Sequence, residues 1–255
     1  MIRNTFSMLN GIGERLERRL WKHGILRWGD FLGASSIGFV SQPRKEIYDR
    51  HLAEAERRLS HGDSDFFAQS LRQREHWRLY EIFKGEALCL DIETNGWQPA
   101  AGGYVTVVGL YDGYDYRAYV KGNGLNAGTL EKEFSNYRYL ITFFGSGFDM
   151  PFLKQSLGVS FHGAHFDLCF GARKLGLNGG LKRLEETLGI ARDESVKGMD
   201  GYDAVKLWRH AKHGSRDALD LLVAYNRQDT VNLCAMAGII YGKMKEQTGI
   251  GEFLN

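Results

Sequence analysis

Four acids in this chain are spaced so that they could hold cations. Asp91 and Glu93 lie two apart in Ala87-Leu88-Cys89-Leu90-Asp91-Ile92-Glu93. The run is short and apolar, which predicts a buried strand. Side chains alternate faces along a strand, so both acids point the same way. Two like charges at the end of an apolar run are costly unless something positive sits between them. A hard divalent cation with oxygen ligands is the natural partner. Two solvated acids at a surface strand end would give the same short pattern, and for this pair alone that reading comes first.

Asp149 follows Gly145-Ser146-Gly147-Phe148 and precedes Met150-Pro151-Phe152-Leu153. This places it after a strand and a glycine turn, at a helix start. A helix-start Asp is favoured by capping and by the dipole. The C-terminal end of a strand is also where α/β sites are built. Tyr225 and Asp229 are four apart in Tyr225-Asn226-Arg227-Gln228-Asp229, so on a helix they share a face. A surface Tyr stacked over an Asp is the plain reading of that pair.

The predicted elements place these motifs. Residues 1–84 read as almost entirely helical. Gly11-Ile12-Gly13 opens an amphipathic stretch carrying Leu16, Leu20 and Trp21, with His23-Gly24 as its stop. A short helix covers Trp28 to Leu32, and Pro43 starts another that runs to about Leu59. Asp63 or Ser64 caps the next, expected to carry Phe66, Phe67, Leu71, Trp77 and Leu79-Tyr80. Strands are expected over 87–93, 104–111, 114–120 and 139–144, with Asp112-Gly113 as a hairpin turn. Helices are expected over 129–137 and through Leu153 and Leu157, then over about 166–175, 180–188, 201–212 and 216–244. The division is a helical leader, 1–84, and an α/β domain, 85–255.

Asp-Ile-Glu-Thr after a first strand, Gly-x-x-Phe-Asp-x-Pro-Phe-Leu after a fourth, and Tyr-x-x-x-Asp on a late helix agree in order, distance and element type. Together they resemble the DEDD exonuclease superfamily, and Tyr225 points to its tyrosine subclass. Gly109–Gly113, Phe166–Leu168, Leu181–Ile190 and Tyr225–Asp229 are similar to the YprB-like group of ribonuclease H-like proteins, over roughly residues 86–240. Glu75–Tyr80 and the Gly-Ile-Gly turn also look like that group's leader. Members of the group often have Asn where this chain has Phe144.

The resemblance implies an α/β ribonuclease H-like fold: three antiparallel strands, then parallel strands flanked by helices, with the N-terminal all-helical subdomain attached. It implies phosphodiester hydrolysis with two divalent cations, Mg²⁺ or Mn²⁺. Asp91 would bridge both ions, Glu93 and Asp229 would bind the one that activates water, and Asp149 would serve mainly the other. Tyr225 would orient the water, since an unperturbed phenol near pKa 10 is a poor base at neutral pH. The expected activity is 3′→5′ exonucleolytic, on single-stranded DNA or RNA and on duplex ends, with DNA favoured. Nucleic-acid contacts are expected at Thr94, Asn95 and Phe148. A structure-specific endonuclease with the same site and a catalytically silent binding module are the alternatives.

Leu9-Asn10-Gly11-Ile12-Gly13 resembles half of a helix-hairpin-helix, whose backbone N–H groups would cradle a phosphate. Gly11, Gly13 and Arg15 are its candidate contacts, with Arg18, Arg19 and Lys22 nearby. A small helical bundle with a tight turn explains the same residues equally well. Trp21, Trp28 and Trp77 read as core. His162 and His165 have no neighbouring Cys and no HExxH pattern, and read as solvated or core histidines rather than transition-metal ligands.

The chain has 255 residues and a net charge of +2, so it is not a basic glue for nucleic acid. The basic excess lies in residues 1–84. No apolar stretch is long enough to span a membrane. The first residues lack the layout of a signal peptide, which predicts a cytoplasmic protein. Cys89, Cys169 and Cys234 form no CxxC pair and read as reduced, structural thiols.

Overall fold

The computed structural model describes residues 1–254. The leader contains α1 (Glu14–Lys22), α2 (Trp28–Gly33), α3 (Gln42–Ser60) and α4 (Ser64–Ser70). A 3₁₀ segment over Gln73–Leu79 leads into the short α5 (Tyr80–Phe83). Local signals set these limits. Gly13 is the N-cap of α1, and Gly24 follows its end at φ 77°. Pro43 lies in the first turn of α3. The Asp63 carboxylate caps α4, accepting from Phe66 N–H at 3.0 Å. The continuous helix expected from Ser64 to Tyr80 is broken at Leu71–Arg72, where the backbone turns extended.

The rest of the chain builds one sheet and its helices: β1 (Ala87–Thr94), β2 (Val105–Tyr111), β3 (Tyr116–Val120), α6 (Ala127–Phe134), β4 (Tyr139–Thr142), α7 (Asp149–Leu157), β5 (Ala164–Asp167), α8 (Leu168–Lys174), α9 (Leu181–Leu188), α10 (Gly201–Lys212) and α11 (Arg216–Gln247). The strand order is β3-β2-β1-β4-β5. β1, β2 and β3 pair antiparallel, while β4 and β5 run parallel to β1. This is the architecture expected from the sequence. β5 was hidden: Ala-His-Phe-Asp is too short to show a strand period, and it runs directly into α8. β4 ends two residues early because Phe144 turns left-handed, at φ 61°.

β1 lies at the centre, and its alternation sorts the core. Leu88, Leu90 and Ile92 join Val108, Leu110, Leu130, Phe134, Phe152 and Leu153 on the α6–α7 face. Ala87 and Cys89 join Phe166, Leu233, Met236 and the leader's Phe6, Trp28 and Phe67 on the other. Asp91 and Glu93 continue that second strand face, under α11. Trp21, Trp28 and Trp77 are buried, as expected. The leader docks through His76, whose Nδ1 accepts from His165 N–H at 3.0 Å and whose carbonyl accepts from Tyr139 Oη at 2.8 Å; within the leader, Arg78 pairs with Glu17 and Glu75 in the interior. Among the described residues no helix is long and apolar enough to cross a membrane.

Candidate metal centre

β4 pairs with β1 only as far as Cys89. Beyond it, the β4 side of β1 has no strand partner. Asp149, in the first turn of α7, fills part of that gap: its Oδ1 accepts from Ile92 N–H at 3.1 Å. The acid therefore closes the end of the sheet and stands beside Asp91 and Glu93. The long helix α11 supplies the other wall. α11 presents Tyr225, Asn226 and Asp229 to β1 and β2.

Asp91, Glu93 and Asp229 each offer a carboxylate oxygen, and these oxygens all lie within 4.8 Å of one another. Burial raises the pKa of Asp91 well above the carboxylate range, and Glu93, Asp149 and Asp229 raise it further. Glu93 is raised by burial, then by Asp229 and Asp149. Burial also raises Asp229, against the pull of Arg192. Asp149 lies outside the triad, and burial pushes it up to about 7. A buried set of mutually repelling oxygens fits a hard divalent cation, which would remove the repulsion.

Residues the sequence did not single out complete the centre. Asn226 Nδ2 donates to Asp91 Oδ2 at 2.8 Å, and Asn226 Oδ1 accepts from Tyr116 Oη at 2.9 Å. Gly109, paired with Asp91 across the sheet, leaves room for this amide, because a Cβ there would overlap it. Arg192 NH2 donates to Asp229 Oδ1 and its NH1 to Glu185 Oε2. Lys182 Nζ, from the first turn of α9, donates to Tyr225 Oη at 2.7 Å. Burial, then the charges of Asp229, Glu93 and Asp91, holds the phenol far above the usual tyrosine range. Asn226 adjoins Tyr225 in sequence, and Lys182 stands in the Leu-Lys-Arg-Leu run. Arg192 carried no signal, since a lone Arg after a helix has many uses.

Two cavities meet at Asp91 and Ile92. One, of about 360 Å³, is lined by Glu93, Thr94, Trp97, Phe148, Tyr225 and Asp229. The other, of about 630 Å³, is lined by Phe144, Phe148, Asp149 and Arg173. Thr94 and Phe148 are thus beside the acids. Asn95 instead ties the β1–β2 connection, accepting from Tyr104 N–H at 3.1 Å and donating to Gly102 O at 3.2 Å. Gly11, Gly13 and Arg15 line neither cavity. In that leader turn Tyr48 Oη donates to Asn10 O, Arg18 pairs with Glu252, and Arg19 lies over Phe39. His162 is exposed, and His165 Nε2 meets Thr142 Oγ1 at 2.8 Å, away from the triad. All three cysteines are free.

No curated protein matches the chain. Among solved structures, Brucella melitensis NrnC bound to pGG is similar at 19% identity and a TM-score of 0.48. The match covers 67% of this chain and 79% of that one. The family model of the RNase_H superfamily matches residues 88–241, from β1 through most of α11. That span holds all four acids and Tyr225, and the chain belongs to the RNase H superfamily.

Proposed function

We propose that this chain is a metal-dependent nuclease of the DEDD type, tyrosine subclass, related to the YprB-like group. Its expected action is 3′→5′ hydrolysis of single-stranded nucleic acid, DNA foremost. The observation that carries the reading is the triad of half-buried Asp91 and buried Glu93 and Asp229, with its oxygens within 4.8 Å and Tyr225 one helical turn before Asp229. Asp91, Glu93 and Asp229 would hold Mg²⁺ or Mn²⁺, with Asp149 joining them for a second ion. Bound there, such ions would supply Lewis-acid stabilisation of the charge that builds on a phosphodiester during cleavage.

The chain's own groups do the positioning. Asn226 fixes one oxygen of Asp91, and Arg192 fixes one oxygen of Asp229. Tyr225 stays a neutral phenol, so it serves to orient a water rather than to take its proton. Lys182 occupies a lone pair of that phenol and sets its direction. Thr94 and Phe148 would meet the bound strand beside the acids, with Asn95 shaping the turn behind them. Gly11, Gly13 and Arg15 would give the leader, residues 1–84, a separate phosphate contact.

End-labelled single- and double-stranded DNA and RNA, incubated with Mg²⁺ or Mn²⁺ and sized on a gel, test the reading. Asp91→Asn and Asp229→Ala are expected to abolish degradation while the chain stays folded. Full activity in both variants would sink the assignment. Covalently closed single-stranded circles separate the modes, since an exonuclease leaves them intact.

A further inference from the structure

Phe144 and Arg173, on the wall of the larger cavity, and Phe170 packed beside them outside its lining form a group that the metal centre does not use. Phe144 and Phe170 are 40% and 44% exposed. Their ring centres lie 6.1 Å apart, with the planes tilted by 44°. The Arg173 guanidinium lies 5.9 Å from the Phe144 ring centre and 5.5 Å from that of Phe170. Arg173 is exposed and, among the described residues, makes no ion pair. Phe144 and Arg173 line the same cavity as Asp91 and Asp149.

The backbone is strained to hold this arrangement. Phe144 is the one non-glycine residue with positive φ among those described. A bulky residue is a poor occupant of that region, where Asn is enriched. Asp167 fixes the loop by accepting from Phe144 N–H at 2.8 Å, Ser146 N–H at 3.0 Å and Ser146 Oγ at 2.6 Å. Gly147 leaves the ring its place, since a Cβ there would come 2.6 Å from Phe144 Cζ. An exposed ring gains little from burial. A strained backbone that keeps such a ring at the mouth of a site motivates a functional reading.

Resting on the nuclease reading above, we infer that Phe144, Phe170 and Arg173 form a platform for one unpaired nucleotide of the bound strand. The rings offer flat π faces to a base, and Arg173 offers an unpaired cation to the adjoining phosphate. Stacking is sequence-tolerant, because every base has a π face. A base inside a duplex has its faces covered by neighbours, so the occupant is a single-stranded or frayed nucleotide. The platform is continuous with the acids, so the nucleotide it holds belongs to the strand presented to them.

The test is fluorescence anisotropy of the full chain in EDTA, with short labelled oligo(dT) and oligo(rU). Phe144→Asn keeps a residue that tolerates the left-handed backbone, and Arg173→Gln changes an exposed side chain. Phe144→Asn and Phe170→Ala are each expected to weaken binding about tenfold. Arg173→Gln is expected to make the slope of log affinity against log salt shallower by about 0.7, the loss of one phosphate contact. An oligo(dT) carrying one fluorescent adenine analogue is expected to lose emission on the wild-type chain and to keep it on Phe170→Ala. Unchanged affinity, salt slope and quenching in all three variants would overturn the platform. Weakened binding by the variants, together with an intact strand after wild-type incubation with Mn²⁺, would overturn the nuclease reading and leave the platform standing.

Discussion

Arg192 donates to Asp229 Oδ1 at 2.5 Å and, from its other terminal nitrogen, to Glu185 Oε2 at 2.6 Å. One guanidinium thus bridges a fully buried glutamate and a candidate metal ligand, offsetting one of their two negative charges. Removing one partner of a buried pair leaves an uncompensated charge, at a cost of about 3 kcal/mol. Arg192→Gln should therefore melt well below the wild type in EDTA. Added Mn²⁺ should recover part of the deficit, because a cation at the triad replaces the charge lost beside Asp229. Equal melting temperatures in EDTA would show that the pair carries no weight.

Tyr225→Phe removes the oxygen that accepts from Lys182 and leaves the three carboxylates in place. Hydrolysis should slow by about a hundredfold, the usual scale for losing one preorganised hydrogen-bonding group. Mn²⁺ binding followed by calorimetry should be retained. Loss of metal binding in this variant would contradict the water-orienting role.

Gly109→Ala should be far worse than a surface exchange. The new methyl would overlap Asn226 Oδ1 and crowd Thr230. Overpacking of this kind costs about 1–3 kcal/mol. It should also push Asn226 off Asp91, so activity should fall further than stability. Chemical denaturation and single-turnover rates, compared with those of Asn226→Ala, would reveal this. A stable and fully active Gly109→Ala would mean that the amide does not position Asp91.

His165 gives the chain an acid sensitivity away from the metal centre. Burial lowers its pKa from 6.5 to about 4. Between those values the unfolded chain binds a proton that the folded chain does not. The stability from this group is therefore complete above about pH 6.5 and is lost as pH falls toward 4. His76, which accepts from His165 N–H, is lowered in the same direction by its burial. Melting temperature should fall across this window, and His165→Asn should flatten the fall. An equally steep fall in that variant would assign it to other groups.

Much of the architecture was legible because its signals are local. A short continuous apolar run marked β1, and Pro43, Asp63 and Gly24 marked helix limits. β5 was lost because four residues carry no period, and its pairing with β4 is a tertiary choice. Phe144 was read as strand because sequence does not show backbone handedness, and its φ of 61° ends the strand before it. The acids were legible as a pattern, since strand and helix spacing put each pair on one face. Lys182, Arg192 and Asn226 were not, because their part depends on where two distant helices and a loop come to rest.

Asn226 reaches Asp91 across 135 residues of sequence. Asp91 and Glu93 leave the ribosome early, while the helix bearing Asn226 and Asp229 comes last among the site's elements. Until that helix docks, the first two acids stand at the end of a sheet with one wall of the centre missing. A chain in the midst of synthesis therefore carries no complete acidic centre. The centre is complete only with that helix in place, and a copy cut short before it would lack Tyr225, Asn226 and Asp229 together.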